Sequence, residues 1–271
     1  MKVIYLLLFI VFSCSCFAQK LPEIQTTGIW APNGIRVDGK STEWNNSFAA
    51  ENKRTEIYYT VSNDNKNLYL VVKSANNTVV NKIMVGGITF TVNNKGKKKE
   101  EGAFSITYPL ITRNNRNVGN RNPVGQNRNE QSQEHRDSIA LVQRKSQLAS
   151  VKEIKVIGFK EISDSLISIY NEYGIKAAAT IDETGTYFYE LAIPLTALDI
   201  SNTKEFAYQI KLNGRIDGGG FILRGNGNTG SGFGGGAVRG NFGGASPNNN
   251  TARQDLLSST DFWGKYILQK Q

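Results

Sequence analysis

The chain holds only two cysteines and one histidine in 271 residues. Both cysteines, Cys14 and Cys16, fall in its apolar start, so everything after them can form no internal disulfide and offers no thiolate as nucleophile or metal ligand. The histidine, His135, stands in a polar run between Glu134 and Arg136. A Ser-His-Asp triad needs its histidine held by packing and a second hydrogen bond, and zinc chemistry needs several His or Cys ligands, so neither is expected. Haem would have to use Met84 and His135, whose settings suggest no pocket. No catalytic residue and no cofactor is therefore assigned, and no metal-ligand set is readable. Long apolar runs are scarce as well. After residues 3–12 nothing approaches the roughly 20 apolar residues of a membrane-spanning helix.

What stands at the start is a leader. Met1 and Lys2 precede the apolar run, and Cys16, Phe17 and Ala18 end in the small residue that a signal peptidase needs before cutting at Gln19. This predicts export, with a signal peptide at 1–18. A second cut fits the same run: Val11, Phe12, Ser13 and Cys14 resemble a bacterial lipoprotein box in which Cys14 would carry the lipid. The product would then be either secreted or periplasmic, or anchored through Cys14.

The remaining stretch of about 250 residues alternates apolar and polar positions again and again, the period of a half-buried strand. Ile57, Tyr59 and Val61 face one way and meet Leu68, Leu70 and Val72 across a hairpin closed by the turn-forming residues 62–66. The pattern returns at Ile88, Phe90 and Val92, at Tyr187, Tyr189, Leu191 and Ile193, and at Phe206, Tyr208, Ile210 and Leu212. A weaker alternation covers 151–159, and 138–149 reads as a short helix. The chain is predicted to be all-β and antiparallel, a single domain over 19–271.

Two biased segments interrupt it. Residues 111–137 are dense in Asn, Arg and Gln, and 214–250 are rich in glycine with scattered Phe and Arg. Such composition has too little to bury to offset the entropy of ordering, so both are expected to be flexible insertions. The net charge of +9, or +8 once Lys2 leaves with the leader, comes largely from Lys95, Lys97, Lys98 and Lys99 and from the arginines of the first insertion. A basic surface suits anionic polymers, or merely keeps a loop solvated. The second insertion superficially resembles RNA-binding Arg/Gly stretches, but its arginines are sparse and export argues against RNA, so no nucleic acid partner is expected.

Paired carboxylates remain as a possible hydrolytic device, with Glu190 and Asp182 as candidates. Glu190 reads more simply as the outward residue of an alternating strand.

Four motifs occur in order along the chain. The first is Ile35, Val37, Asp38, Gly39, Glu43 and Trp44; then come the strand at 67–72, the strand-then-turn run Tyr189, Glu190, Ile193, Pro194, Leu195 and Leu198, and the closing strand at 261–268. Together they resemble family 9 carbohydrate-binding modules and the related DOMON-like sandwiches, with the texture of small exported proteins of Bacteroidota-type bacteria. The resemblance implies a β-sandwich of two antiparallel sheets with a jelly-roll-like order, and a bound sugar stacked on exposed aromatic side chains. Of the three tryptophans, Trp30 and Trp263 are the ligand-binding candidates, each beside a strand edge near a chain end; Trp44 is expected to plug one end of the sandwich. The expected partner is a polysaccharide or another cell-envelope component held without catalysis. The alternatives are a structural or adhesive surface protein acting through the insertions, and a carboxylate-dependent hydrolase.

Overall fold

The computed structural model describes residues 20–111, 133–200, 205–214 and 256–271. The predicted leader, including Cys14 and Cys16, lies outside them, as do most of both predicted insertions. Among the described residues no helix is long and apolar enough to cross a membrane.

The period-two segments become strands: β1 (Ala50–Asn52), β2 (Ile57–Asn63), β3 (Asn67–Ser74), β4 (Ile88–Asn93), β5 (Phe104–Tyr108), β6 (Glu153–Ile157), β7 (Leu166–Ser168), β8 (Lys176–Ile181), β9 (Tyr187–Pro194), β10 (Phe206–Leu212) and β11 (Thr260–Tyr266). They form a five-stranded sheet in the order β1-β2-β3-β9-β8 and a six-stranded sheet in the order β11-β10-β4-β5-β6-β7. Every pairing between named strands is antiparallel. The predicted hairpin has Tyr59 opposite Val72 and Val61 opposite Leu70. Its turn is fastened by Asp64, whose Oδ1 accepts from the backbone N–H groups of Lys66 and Asn67 at 2.7 Å each.

The inward residues of both sheets share one apolar core, which makes the fold a β-sandwich. Aromatic rings bridge the layers: Tyr59 of the five-stranded sheet lies 5.0 Å from Phe262 and 6.4 Å from Tyr208 of the six-stranded sheet, with the Tyr59 and Tyr208 hydroxyls 3.1 Å apart. Ile210, Tyr208 and Leu212 are wholly buried, as the alternation predicts.

Among the described residues, two named α-helices join the strands. Helix α1 (Asn77–Gly86) carries the chain from β3 to β4, and its buried residues include Val79, Val80, Ile83 and Met84. Asn76 caps its first turn, accepting from Thr78 N at 2.8 Å, and Gly87 ends it at φ +75°. The second, α2 (Gln133–Ala149), is longer than the 138–149 helix predicted. Its first turns take up the end of the expected 111–137 insertion, so His135 is helical; residues 112–132 lie outside the described chain.

Candidate functional site

The outer face of the five-stranded sheet is covered by the chain's own N-terminal segment. Trp44, Ala31, Tyr69, Val71 and Ala192 form a second apolar cluster there, with the Trp44 and Tyr69 rings edge to face at 6.2 Å. Trp44 thus packs on the outer face of a sheet, whereas the sequence suggested that it plugs an end of the sandwich. Beneath it, Glu190 points outward from β9 but is only 2% exposed. One carboxylate oxygen accepts from Asp38 N and Gly39 N, both at 2.9 Å, and the other from Trp44 Nε1 at 3.0 Å. Gly39 has φ +81°, and a Cβ there would stand 2.9 Å from the Ala179 backbone, so the turn requires glycine. Burial pushes the Glu190 pKa up, and the three hydrogen bonds pull against that shift. A carboxylate so engaged fastens a turn to a sheet. Asp182 is engaged likewise: its Oδ1 accepts from Thr184 N, Thr184 Oγ1 and Thr186 N, and the hydrogen bonds hold its pKa low despite burial.

Trp30 forms a parallel bridge with Asn63 at the end of β2. Bridged residues share a face, and the Asn63 side chain accepts from the Tyr266 hydroxyl at 3.0 Å between the layers. Trp30 is therefore a half-buried residue at the end of the sandwich.

Trp263 is placed differently. Phe262, Gly264 and Tyr266 of β11 are buried, so Asp261, Trp263 and Lys265 face away from the core, and Trp263, like Trp30, is half-buried. On the same face Trp263 stands opposite Gln209, which stands opposite Thr91, which stands opposite Ser105. One row further, Asp261, Lys211, Thr89, Thr107 and Lys155 follow across the strands. The hydroxyl pairs Thr91–Ser105 and Thr89–Thr107 are bonded at 3.0 and 2.8 Å. The result is an indole at a sheet edge followed by amide, carboxylate and hydroxyl groups, a set that stacks on an apolar ring face and bonds its substituents. Trp30 and Trp263 belong to different parts of the sandwich, and no ring contact joins them among the described residues.

Two surface clefts are lined by described residues. One, of about 590 Å³, lies over β8 and α2 on the five-stranded side, with Ala179, Ile181, Phe188 and Leu148 in its walls and Lys40 and Lys145 at its rim. It is apolar, and none of the three tryptophans lines it. The other, of about 340 Å³, is bounded by Gly28, Glu205, Lys265, Tyr266 and Gln269. Lys265, the same-face neighbour of Trp263, lines it, but no tryptophan does.

No protein-family model and no curated protein sequence matches this chain. Solved structures similar to it include two of a family 9 carbohydrate binding module from Caldicellulosiruptor kristjanssonii. The complex with cellotriose has 9% identity and a TM-score of 0.37, over 90% of this chain and 95% of that one. The complex with glucose has 10% identity and a TM-score of 0.35, over 90% and 97%. The family resembled by the sequence motifs is thus also the family of these structures. A likeness this distant does not say what the present chain binds.

Proposed function

We propose that this chain is a non-catalytic binding module that holds a glycan on the outward face of the six-stranded sheet, with Trp263 as the stacking platform. The observation that carries the reading is the half-buried Trp263 indole on an outward sheet face, with Asp261 and the covered Gln209 beside it. An apolar ring face flanked by donors and acceptors matches the two sides of a sugar, whose C–H face is apolar and whose hydroxyls are equatorial to it. Trp30, held at the sandwich end by its bridge to Asn63, is the weaker platform. The hydrolytic alternative fares worse on this geometry, because the carboxylates of Glu190 and Asp182 are each taken up by a turn. The adhesive alternative rests on the two biased segments, most of which lie outside the described residues.

In this reading the protein works outside the cytoplasm, delivered by the leader at 1–18 and facing polysaccharide or cell-envelope material. Affinity electrophoresis of residues 20–271 through gels containing neutral polysaccharides tests it. Retardation by at least one polymer, lost in Trp263→Ala and kept in Trp30→Ala, is the expected result; equal retardation of all three proteins would overturn the platform.

A further inference from the structure

The face around Trp263 is partly roofed. Although they point away from the core, Gln209 is 3% exposed, Thr91 1% and Asn93 2%. The roof is visible in one ion pair. Lys211 lies two residues from Gln209 on the same face of β10, opposite Thr89, and its Nζ meets Glu100 Oε1 at 2.9 Å. Glu100 belongs to the β4–β5 loop, residues 94–103, which leaves β4 beyond Asn93. A link from the Thr89 row back to that loop passes over the row between them, the row of Thr91 and Gln209.

Under this link Gln209 is half satisfied. Its amide nitrogen donates to Asp261 Oδ2 at 2.7 Å. A carboxylate only accepts, so the partner itself fixes which end of the amide is nitrogen. The amide oxygen is left buried with no hydrogen-bond partner. Among the described residues three other buried side-chain atoms share that condition, Ser62 Oγ, Tyr187 OH and Tyr189 OH. Ser62 belongs to the five-stranded sheet, and the two tyrosines point into the core. Gln209 Oε1 is the one beside the indole. A buried acceptor without a donor is a standing cost that a ligand donor removes, and the roof over it lifts easily. The Lys211 and Glu100 side chains are 29% and 55% exposed, and an ion pair so open to water holds weakly.

Resting on the glycan reading above, we infer that Gln209 selects the ligand. Its free carbonyl accepts a hydroxyl or amide N–H from a neutral sugar stacked on Trp263, and the Glu100–Lys211 pair is a latch that must open for the sugar to enter. Neutrality follows from the chemistry of the pocket floor. Gln209 Oε1 and the neighbouring Asp261 carboxylate are both acceptors, so a group that only accepts, such as a uronate or sulfate, finds no partner at either, and the nearby Arg54 and Lys211 cations already face the carboxylates of Asp261 and Glu100.

The test uses the full chain without its leader, calorimetric titration with cellohexaose, xylohexaose, mannohexaose and polygalacturonate, and thermal unfolding of each variant. Gln209→Met keeps the length of the side chain and removes the acceptor. It also removes the donor to Asp261, and is expected to remain folded and to bind the preferred neutral oligosaccharide at least tenfold more weakly. Glu100→Gln is expected to bind it several-fold more tightly, with polygalacturonate bound weakly by all. Unchanged affinity in Gln209→Met, where Trp263→Ala loses binding, would sink the role of Gln209 alone and leave the platform standing. Unchanged affinity in Trp263→Ala, or no neutral oligosaccharide bound by wild type or by Glu100→Gln, would remove the platform and this inference together.

Discussion

At the scale of single residues, Glu190 explains why two distant motifs occur in one chain. The Asp38-Gly39 turn and Trp44 lie about 150 positions before Glu190 and converge on its carboxylate. Glu190→Gln replaces one oxygen with an NH₂ group that faces either two backbone donors or the indole donor. The expected loss is about 1.5 to 3 kcal/mol in urea unfolding, the range for hydrogen bonds to a charged group. The pH dependence has a definite sign. Burial raises the Glu190 pKa in the folded state, so its contribution is fully present below the ordinary carboxylate value of about 4.3 and is lost as pH rises through the raised one. The stability gap between wild type and Glu190→Gln should therefore widen from neutral toward acidic pH; a gap that narrows would mean the carboxylate is held ionised. The sequence showed Glu190 as an outward strand residue, which it is. Its burial was hidden because alternation tells which face a residue takes and not what covers that face. Gln209 was opaque for the same reason, since its roof depends on a contact between Lys211 and Glu100 more than a hundred positions apart.

At the scale of elements, the strands were legible and the helices less so. Strand alternation leaves a period-two record wherever one face is buried, and the Ile57, Leu70, Phe90, Tyr189 and Tyr208 segments all carry it. Helix α1 left a fainter record: Asn76 as cap, Val79, Val80, Ile83 and Met84 at helical spacing, and Gly87 as stop, over only ten residues. Its β-branched valines and the strands on either side invite a strand reading. The cap is the feature to test. Asn76→Ala removes the acceptor for the first-turn N–H groups and should cost about 0.5 to 2 kcal/mol, measured by chemical denaturation. No loss would mean that α1 is held entirely by its buried face. Trp44 was misplaced for a related reason. The sequence marks a large aromatic as covered, and only the path of the segment before β1 shows that it covers a sheet face.

At the scale of the whole molecule, the core is unusually dependent on tyrosine. Tyr59, Tyr108, Tyr187, Tyr189, Tyr208 and Tyr266 are all buried, and burial raises the pKa of each, to about 12 for Tyr108 and Tyr266. Phenols raised in this way add stability below their ordinary pKa of about 10 and withdraw it as pH climbs through the folded values. Absorbance at the phenolate band should thus show these six ionising together with unfolding above about pH 10. Their gradual titration in a still-folded protein would mean that water reaches the core. The sandwich follows from the sequence because its inward rows form one continuous apolar core. The site does not, because Trp30 and Trp263 look alike in sequence and differ only in where β2 and β11 place them. The most direct test is calorimetric titration of neutral oligosaccharides into wild type, Trp263→Ala and Trp30→Ala, each checked for native circular dichroism. Binding abolished at Trp263 alone, with the fold intact, is the predicted result. Full affinity in a folded Trp263→Ala would contradict the account.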